Sequence, residues 1–300
     1  MDPDPVTVDE PTFTVVVPTY NRPELVRQCA EAIVDLDYPR TRYELIVVDD
    51  GGSTPLGPIL EPLRDRGTVR LIEQANEGPA SARNLGVEQA EGSLIAFTDD
   101  DCRPTADWLR RLAARLAGAT GTLVGGRTVN ALTGNPYAEA SQQLIDYLYE
   151  YYEGGAAGQF FTSNNMGVHR DALRSVGSFD VTELRATAED RELCDRWQHH
   201  GLQLLYAPEV VVRHSHEMNL RGFLRQHFNY GRGALYYHER RAERGSGRIK
   251  LEPPSFYTGL LRHPLETGRG TSELRQTFLM GLSQVANAAG YFRERFLGNS

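Results

Sequence analysis

Cysteine is scarce in this chain. The three present, Cys29, Cys102 and Cys194, are odd in number and widely spaced. That pattern fits neither a disulfide framework nor a zinc site, and it suits a reducing, cytoplasmic setting. Long hydrophobic runs are also missing: nowhere do eighteen apolar residues follow one another. A membrane-spanning helix is therefore not expected, although peripheral contact with the inner face of a membrane is compatible with the composition. The acidic, proline-bearing start from Met1 to Pro11 lacks the basic and apolar regions of a signal peptide, so none is expected. Positive charge is in deficit, with 32 Lys and Arg against 40 Asp and Glu and a net charge of −8. Such a surface repels a nucleic-acid backbone, which excludes nucleic acid as an expected partner. No GxGxxG or GxxxxGK[ST] segment occurs, and this argues against dinucleotide dehydrogenases and P-loop kinases.

What is present is ample apolar material, 40% hydrophobic and 9% aromatic over 300 residues, enough for a substantial buried core. The first hundred residues repeat one unit, a short β-branched run followed by a turn and a helical pattern. Apolar runs lie at Phe13 to Val17, Leu45 to Val48, Val69 to Ile72 and Leu94 to Phe97. Between them, Leu25, Ile33 and Val34 follow the Pro23 start signal, and Leu85 and Val87 follow Ser81, at helical spacing. Strands alternating with helices predict an α/β fold, a mainly parallel Rossmann-like sheet with helices on both faces. Ligands then bind beyond the carboxyl ends of the strands.

Those ends are polar. They supply Pro18 to Asn21, Asp49 to Ser53, Asn76, Gly78 and Arg83, and Asp99 to Asp101. After them the spacing predicts a helix over Trp108 to Leu116, a strand over Thr122 to Val129 and an aromatic helix over Tyr137 to Tyr152. The glycine-rich segment Gly154 to Gly158 reads as a flexible loop over the site. From Leu220 onward the chain reads as helices, broken near Gly245 to Gly247 and Pro253 to Pro254. The expected organisation is a tail over 1–11, a βα half over 12–104, a second half over 105–219 and a helical C-terminal extension over 220–300.

Asp99, Asp100 and Asp101 directly follow a buried strand, and three crowded carboxylates call for a counter-charge. A hard divalent cation, Mn²⁺ or Mg²⁺, meets that need and shares its shell with substrate phosphates. If strand geometry continues through them, Asp99 and Asp101 point one way and Asp100 the other. The plain alternative is a solvated acidic turn. Glu189 and Asp190 open a helical pattern whose apolar face is Leu193, Cys194 and Trp197. They read either as a favourable first turn or as a general base facing a hydroxyl. His214 and His216 follow the run Val210 to Val212 and read as a polar strand end or as further metal ligands. The tyrosines Tyr147, Tyr149, Tyr151 and Tyr152 read as core, and the basic stretch Arg240 to Arg248 as a solvated face.

Together these segments resemble glycosyltransferase family two, the inverting enzymes of GT-A fold, over about residues 12 to 235. VVVPTYNRPELV (Val15 to Val26), ELIVVDDGGS (Glu44 to Ser53) and NEGPASARNLG (Asn76 to Gly86) resemble its nucleotide-binding signatures. FTDDDCRP (Phe97 to Pro104) resembles its DxD metal motif. SNNMGVHRDALRSVGSFD (Ser163 to Asp180) and AEDRELCDRW (Ala188 to Trp197) resemble its acceptor loop and catalytic base. The resemblance implies donor-binding roles for Pro18, Tyr20, Asp50, Arg83, Asp99 and Asp100. It implies metal ligation by Asp101 and His214, acceptor contact at Asn164 and Asn165, and a base at Asp190 with Glu189 beside it. QHFNYGRG (Gln226 to Gly233) stands where processive synthases carry QxxRW, with Asn229 and Tyr230 in place of Arg and Trp, which argues against processive synthesis.

The reaction so implied is transfer of a sugar from a nucleotide diphosphate donor, expected to be a UDP-sugar, to a hydroxyl of a glycan, lipid-linked or small-molecule acceptor. It is metal-dependent and inverting, and the family-level setting is polysaccharide assembly. Two competitors are a sugar-1-phosphate nucleotidyltransferase and a non-catalytic nucleotide-sugar-binding module. The first normally carries a glycine-rich basic loop where Pro18 to Pro23 stand here, and the second has no need of Glu189 and Asp190.

Overall fold

The computed structural model describes residues 12–152, 159–182, 187–246, 252–267 and 273–297. The glycine-rich segment 154–158, expected to be a loop over the site, lies outside the described residues. The first half alternates as its pattern requires: β1 (Phe13–Thr19), α1 (Pro23–Val34), β2 (Tyr43–Asp49), α2 (Gly57–Arg64), β3 (Thr68–Glu73), α3 (Pro79–Glu88) and β4 (Leu94–Phe97). Proline stands at the start of each of these helices, where its missing N–H leaves no bond unmade. Then come β5 (Cys102–Pro104), α4 (Trp108–Leu116), β6 (Thr122–Asn130), α5 (Pro136–Tyr151), β7 (Met166–His169), α6 (Arg170–Val176), α7 (Glu189–His199) and β8 (Gln203–His214). The helical C-terminal region is α8 (Leu220–Glu243), α9 (Pro254–Thr267) and α10 (Glu273–Leu297).

One sheet of eight strands runs in the order β3-β2-β1-β4-β7-β6-β8-β5. Pairing among β1, β2, β3 and β4 is parallel. Beyond β4 it is mixed: β7 runs antiparallel to β4 and β6, β5 antiparallel to β8, and β6 parallel to β8. The mainly parallel sheet expected from the sequence thus holds among β1 to β4 and in the β6–β8 pair, while β7 and β5 run antiparallel to their neighbours. Apolar runs carry no strand direction, and β5 and β7, three and four residues long, are too short to show a period.

Alternation along β1 divides the core between the two faces of the sheet. Val15 and Val17 pack with Leu45 and Val47 and with Ile33, Leu60 and Leu112 of α1, α2 and α4. Val16 faces the other way, in a cluster with Phe97, Leu123, Val168, Leu193 and Trp197. Gly86 of α3 lies against it, where a Cβ would come 2.4 Å from Val16 Cγ1. Glycine therefore lets α3 sit close on β1, which fixes the depth of Arg83 one turn earlier. The tyrosines of α5 are largely packing, as expected: Tyr147 and Tyr149 are buried, and Tyr147 donates to the Phe256 carbonyl of α9 at 2.7 Å. Among the described residues no helix is long and apolar enough to cross a membrane.

Candidate active site

The edge where β1, β2 and β4 end carries the aspartates. Asp50, just past β2, is buried. It accepts from Gln74 Nε2 at 2.7 Å and from the backbone N–H groups of Glu77 and Gly78, both at 2.9 Å. One carboxylate thereby pins the segment that leads into α3. Pro18 is buried inside β1, while Tyr20 just beyond it is exposed.

After β4 the strand does not continue. Asp100 and Asp101 form a turn, closed by the bond from Cys102 N–H to the Asp99 carbonyl at 3.0 Å. The expected alternation of the three side chains is therefore replaced by a different grouping. Arg83 Nη2 reaches Asp99 Oδ1 at 2.7 Å, whereas Arg22 Nη1 bridges Asp100 at 3.0 Å and Asp101 at 3.2 Å. Thr19 Oγ1 also donates to Asp100 at 2.7 Å. Burial nevertheless pushes the Asp100 carboxyl up to about 6, against Arg22 and Thr19.

The histidines arrive through strand register. β5 pairs with β8 so that Cys102 faces His214, which sets the preceding Asp101 beside it. His214 Nε2 lies 3.2 Å from Asp101 Oδ1, and His216 Nδ1 lies 3.8 Å from Asp101 Oδ2. Each of the three offers a ligand atom within 4.8 Å of the others. Burial alone would raise the Asp101 carboxyl, but the hydrogen bond and charge of His214, with Arg22 and His216, hold it below the usual carboxylate range. The family resemblance implied His214 alone; His216, two residues on and read from the sequence as a strand end or a ligand, joins it here.

The second acidic pair meets the first through Arg83. Its side chain is 5% exposed, and besides Asp99 it reaches Glu189 at 3.4 Å. Burial raises the Glu189 carboxyl, and the neighbouring charge of Asp190 adds to the rise. Burial likewise raises Asp190, against the opposing effects of Arg83 and Ser163. Asp190 Oδ1 is buried with no hydrogen-bond partner. Asn164 Oδ1 accepts from Thr128 and Thr162. Asn165 is 1% exposed; it accepts from Trp108 Nε1 and donates to the carbonyls of Arg127 and Val210. Its amide joins β6, β8 and α4 from a buried position.

The model of glycosyl transferase family 2 matches residues 14–177, more than half of the chain. The chain belongs to that family. This glycosyltransferase is 28% identical over 229 residues to Glycosyltransferase AglE of Haloferax volcanii, covering 75% of the chain and 73% of that relative. It is 30% identical over 226 residues to the pre-mycofactocin glycosyltransferase of Mycobacterium tuberculosis, covering 74% of the chain but only 46% of that longer relative. Among solved structures, the Pyrobaculum calidifontis mannosyltransferase PcManGT, in complex with GDP-Man and Mn²⁺, has a TM-score of 0.70 at 18% identity and covers 96% of this chain and 88% of its own. GalNAc-T7 with UDP, GalNAc and Mn²⁺ has a TM-score of 0.58 at 13% identity, covering 97% of this chain and 57% of its own. The fold of the glycosyltransferase is GT-A, and membership of a transferase family sets the nucleotidyltransferase reading aside.

Proposed function

We propose that this glycosyltransferase moves a sugar, with inversion, from a nucleotide diphosphate donor to a hydroxyl acceptor with the help of a divalent cation. The observation that carries the proposal is the meeting, through buried Arg83, of the aspartate turn and the acidic start of α7 at one edge of the sheet. Asp101, His214 and His216 form a donor set of one carboxylate and two imidazoles, which a transition ion such as Mn²⁺ accepts more readily than Mg²⁺, whose shell is oxygen. When bound there, such an ion neutralises charge on a diphosphate leaving group. Relatives of the same fold hold Mn²⁺ with a nucleotide sugar or its products, which supports this assignment.

In this reading Asp50, Tyr20 and Pro18 face the base of the donor, UDP being the expected nucleotide, with Asp99 and Asp100 at the ribose and phosphates. Asp190 takes the proton of the acceptor hydroxyl. A buried carboxylate oxygen without a donor is costly, and the acceptor hydroxyl supplies the missing bond at Oδ1. Arg83 opposes the rise that burial gives Glu189 and Asp190, which keeps a carboxylate available at the start of α7 to accept a proton. Holding both substrates in line supplies much of the remaining acceleration. A reducing, cytoplasmic setting belongs to the same proposal and is supported by the three buried free thiols.

The test is a panel of nucleotide sugars with and without Mn²⁺, read first by thermal shift and then by the anomeric configuration of the product. A true donor raises the melting temperature only with the ion and yields a product of inverted configuration. Retention of configuration, or transfer undiminished by a chelator, overturns the proposal.

A further inference from the structure

The basic stretch around Arg240 is not the solvated face its composition suggests. Glu192 and Asp195 of α7 are buried, at 1% and 6% exposure, and carboxylates so placed demand compensation. It comes from two sides. Arg196, on α7 itself, grips Glu192 at 2.7 and 2.8 Å and donates to the carbonyl of Ser178 at 2.6 Å. Arg244, immediately past α8, spans both acids, 2.6 Å from Glu192 Oε1 and 2.8 Å from Asp195 Oδ2. Arg241 ion-pairs with the other Asp195 oxygen. At the opposite end of the contact, Gly233 of α8 lies under the residues that lead into α7. A Cβ there would come 3.0 Å from Thr187 N and 3.1 Å from Ala188 Cβ.

α8 therefore holds α7 at two points: its N-terminal entry, directly before Glu189 and Asp190, and its middle, through the arginines. Stability is a poor explanation for the second. Buried ion pairs are often replaceable by apolar packing without loss, and here Arg241 Nε and Arg244 Nε are themselves buried with no partner. What a guanidinium fork bridging two acids supplies is one geometry.

We propose that Arg241 and Arg244 are positioning residues for the transfer step, fixing the axial register of α7 so that the carboxylate at its first turn meets the acceptor hydroxyl. The inference rests on the reading of Asp190 as the base. Both arginines lie beyond the matched family region, so in this proposal the helical extension contributes to the reaction through α7. A misplacement of 1 Å costs roughly 10²-fold in rate.

Arg244→Lys keeps the charge but loses the fork, and Arg241→Lys shortens the reach of the single Nη1 pair with Asp195, which serves if Arg244→Lys does not fold. Each is made in the wild type and in Asp190→Asn. The expected result is a fall in kcat of roughly tenfold or more, with donor KM and UDP–Mn²⁺ affinity unchanged. In the Asp190→Asn background the lysine variants add no further loss. A lowered melting temperature with unchanged kcat, or losses that simply multiply with Asp190→Asn, makes the cluster structural only and overturns the inference. Near-normal transfer by Asp190→Asn alone instead overturns the base assignment beneath it.

Discussion

Two acidic turns face each other in this glycosyltransferase, Asp99 to Asp101 after β4 and Glu189 with Asp190 at the start of α7. Both are short, both are substantially buried, and both lie near arginine, yet one carboxyl of the first turn, Asp101, is driven the opposite way from the pair at the second. Asp101 is surrounded by Arg22, His214 and His216 and is held ionised. Glu189 and Asp190 share one guanidinium with Asp99, and burial dominates, so both carboxyls rise. In the proposed reading a carboxyl group thus holds positive charge at one turn and accepts a proton at the other. Neighbours decide this division, not the carboxylates themselves.

Breaking the first turn has the largest expected effect on binding. Asp101→Ala removes the carboxylate shared by both histidines, and calorimetry is expected to show donor affinity no longer responding to Mn²⁺. Donor affinity equal to that of the unmodified enzyme, both with and without the ion, takes Asp101 out of the site. Next comes the cation that joins the turns. Arg83→Met leaves Asp99, Glu189 and Asp190 without their shared partner, and unfolding in denaturant is expected to show a loss of about 3–5 kcal/mol, as for other broken buried pairs.

The pH dependence sharpens the contrast. A base works only when ionised, so kcat/KM is expected to fall about tenfold per pH unit below the raised pKa of the α7 pair. The acid limb then lies above the ordinary carboxylate range. For stability the sign is reversed: carboxyls with raised folded-state pKa values favour the fold when protonated, and that contribution is lost as pH rises through them. An acid limb below pH 4.5 would contradict the assignment. The smallest effect is expected at Arg22, whose side chain is 47% exposed. Arg22→Ala is expected to cost about 1 kcal/mol or less in thermal unfolding.

The polar strand ends were legible because each is local, an apolar run ending directly in Asp49 and Asp50 or in Asp99 to Asp101. What escaped depends on distant segments. Arg22 meets Asp100 and Asp101 across more than seventy residues, and the turn that redirects the aspartates follows from the chain reversing into β5. Arg241 and Arg244 read as surface because a basic run carries no record of Glu192 and Asp195 half a hundred residues earlier. Asn165 looked like an acceptor contact in its motif, yet its amide satisfies buried carbonyls.

The division between the two turns is tested most directly by Asp190→Asn, with transfer rate, UDP affinity in Mn²⁺ and melting temperature measured on one preparation. Asparagine keeps the shape and loses the proton acceptor. A base acts in the transition state, so kcat is expected to fall by roughly 10²–10⁴ while nucleotide affinity and melting temperature stay near those of the unmodified enzyme. Transfer at a near-normal rate would contradict the assignment and leave the start of α7 as no more than a well-placed first turn.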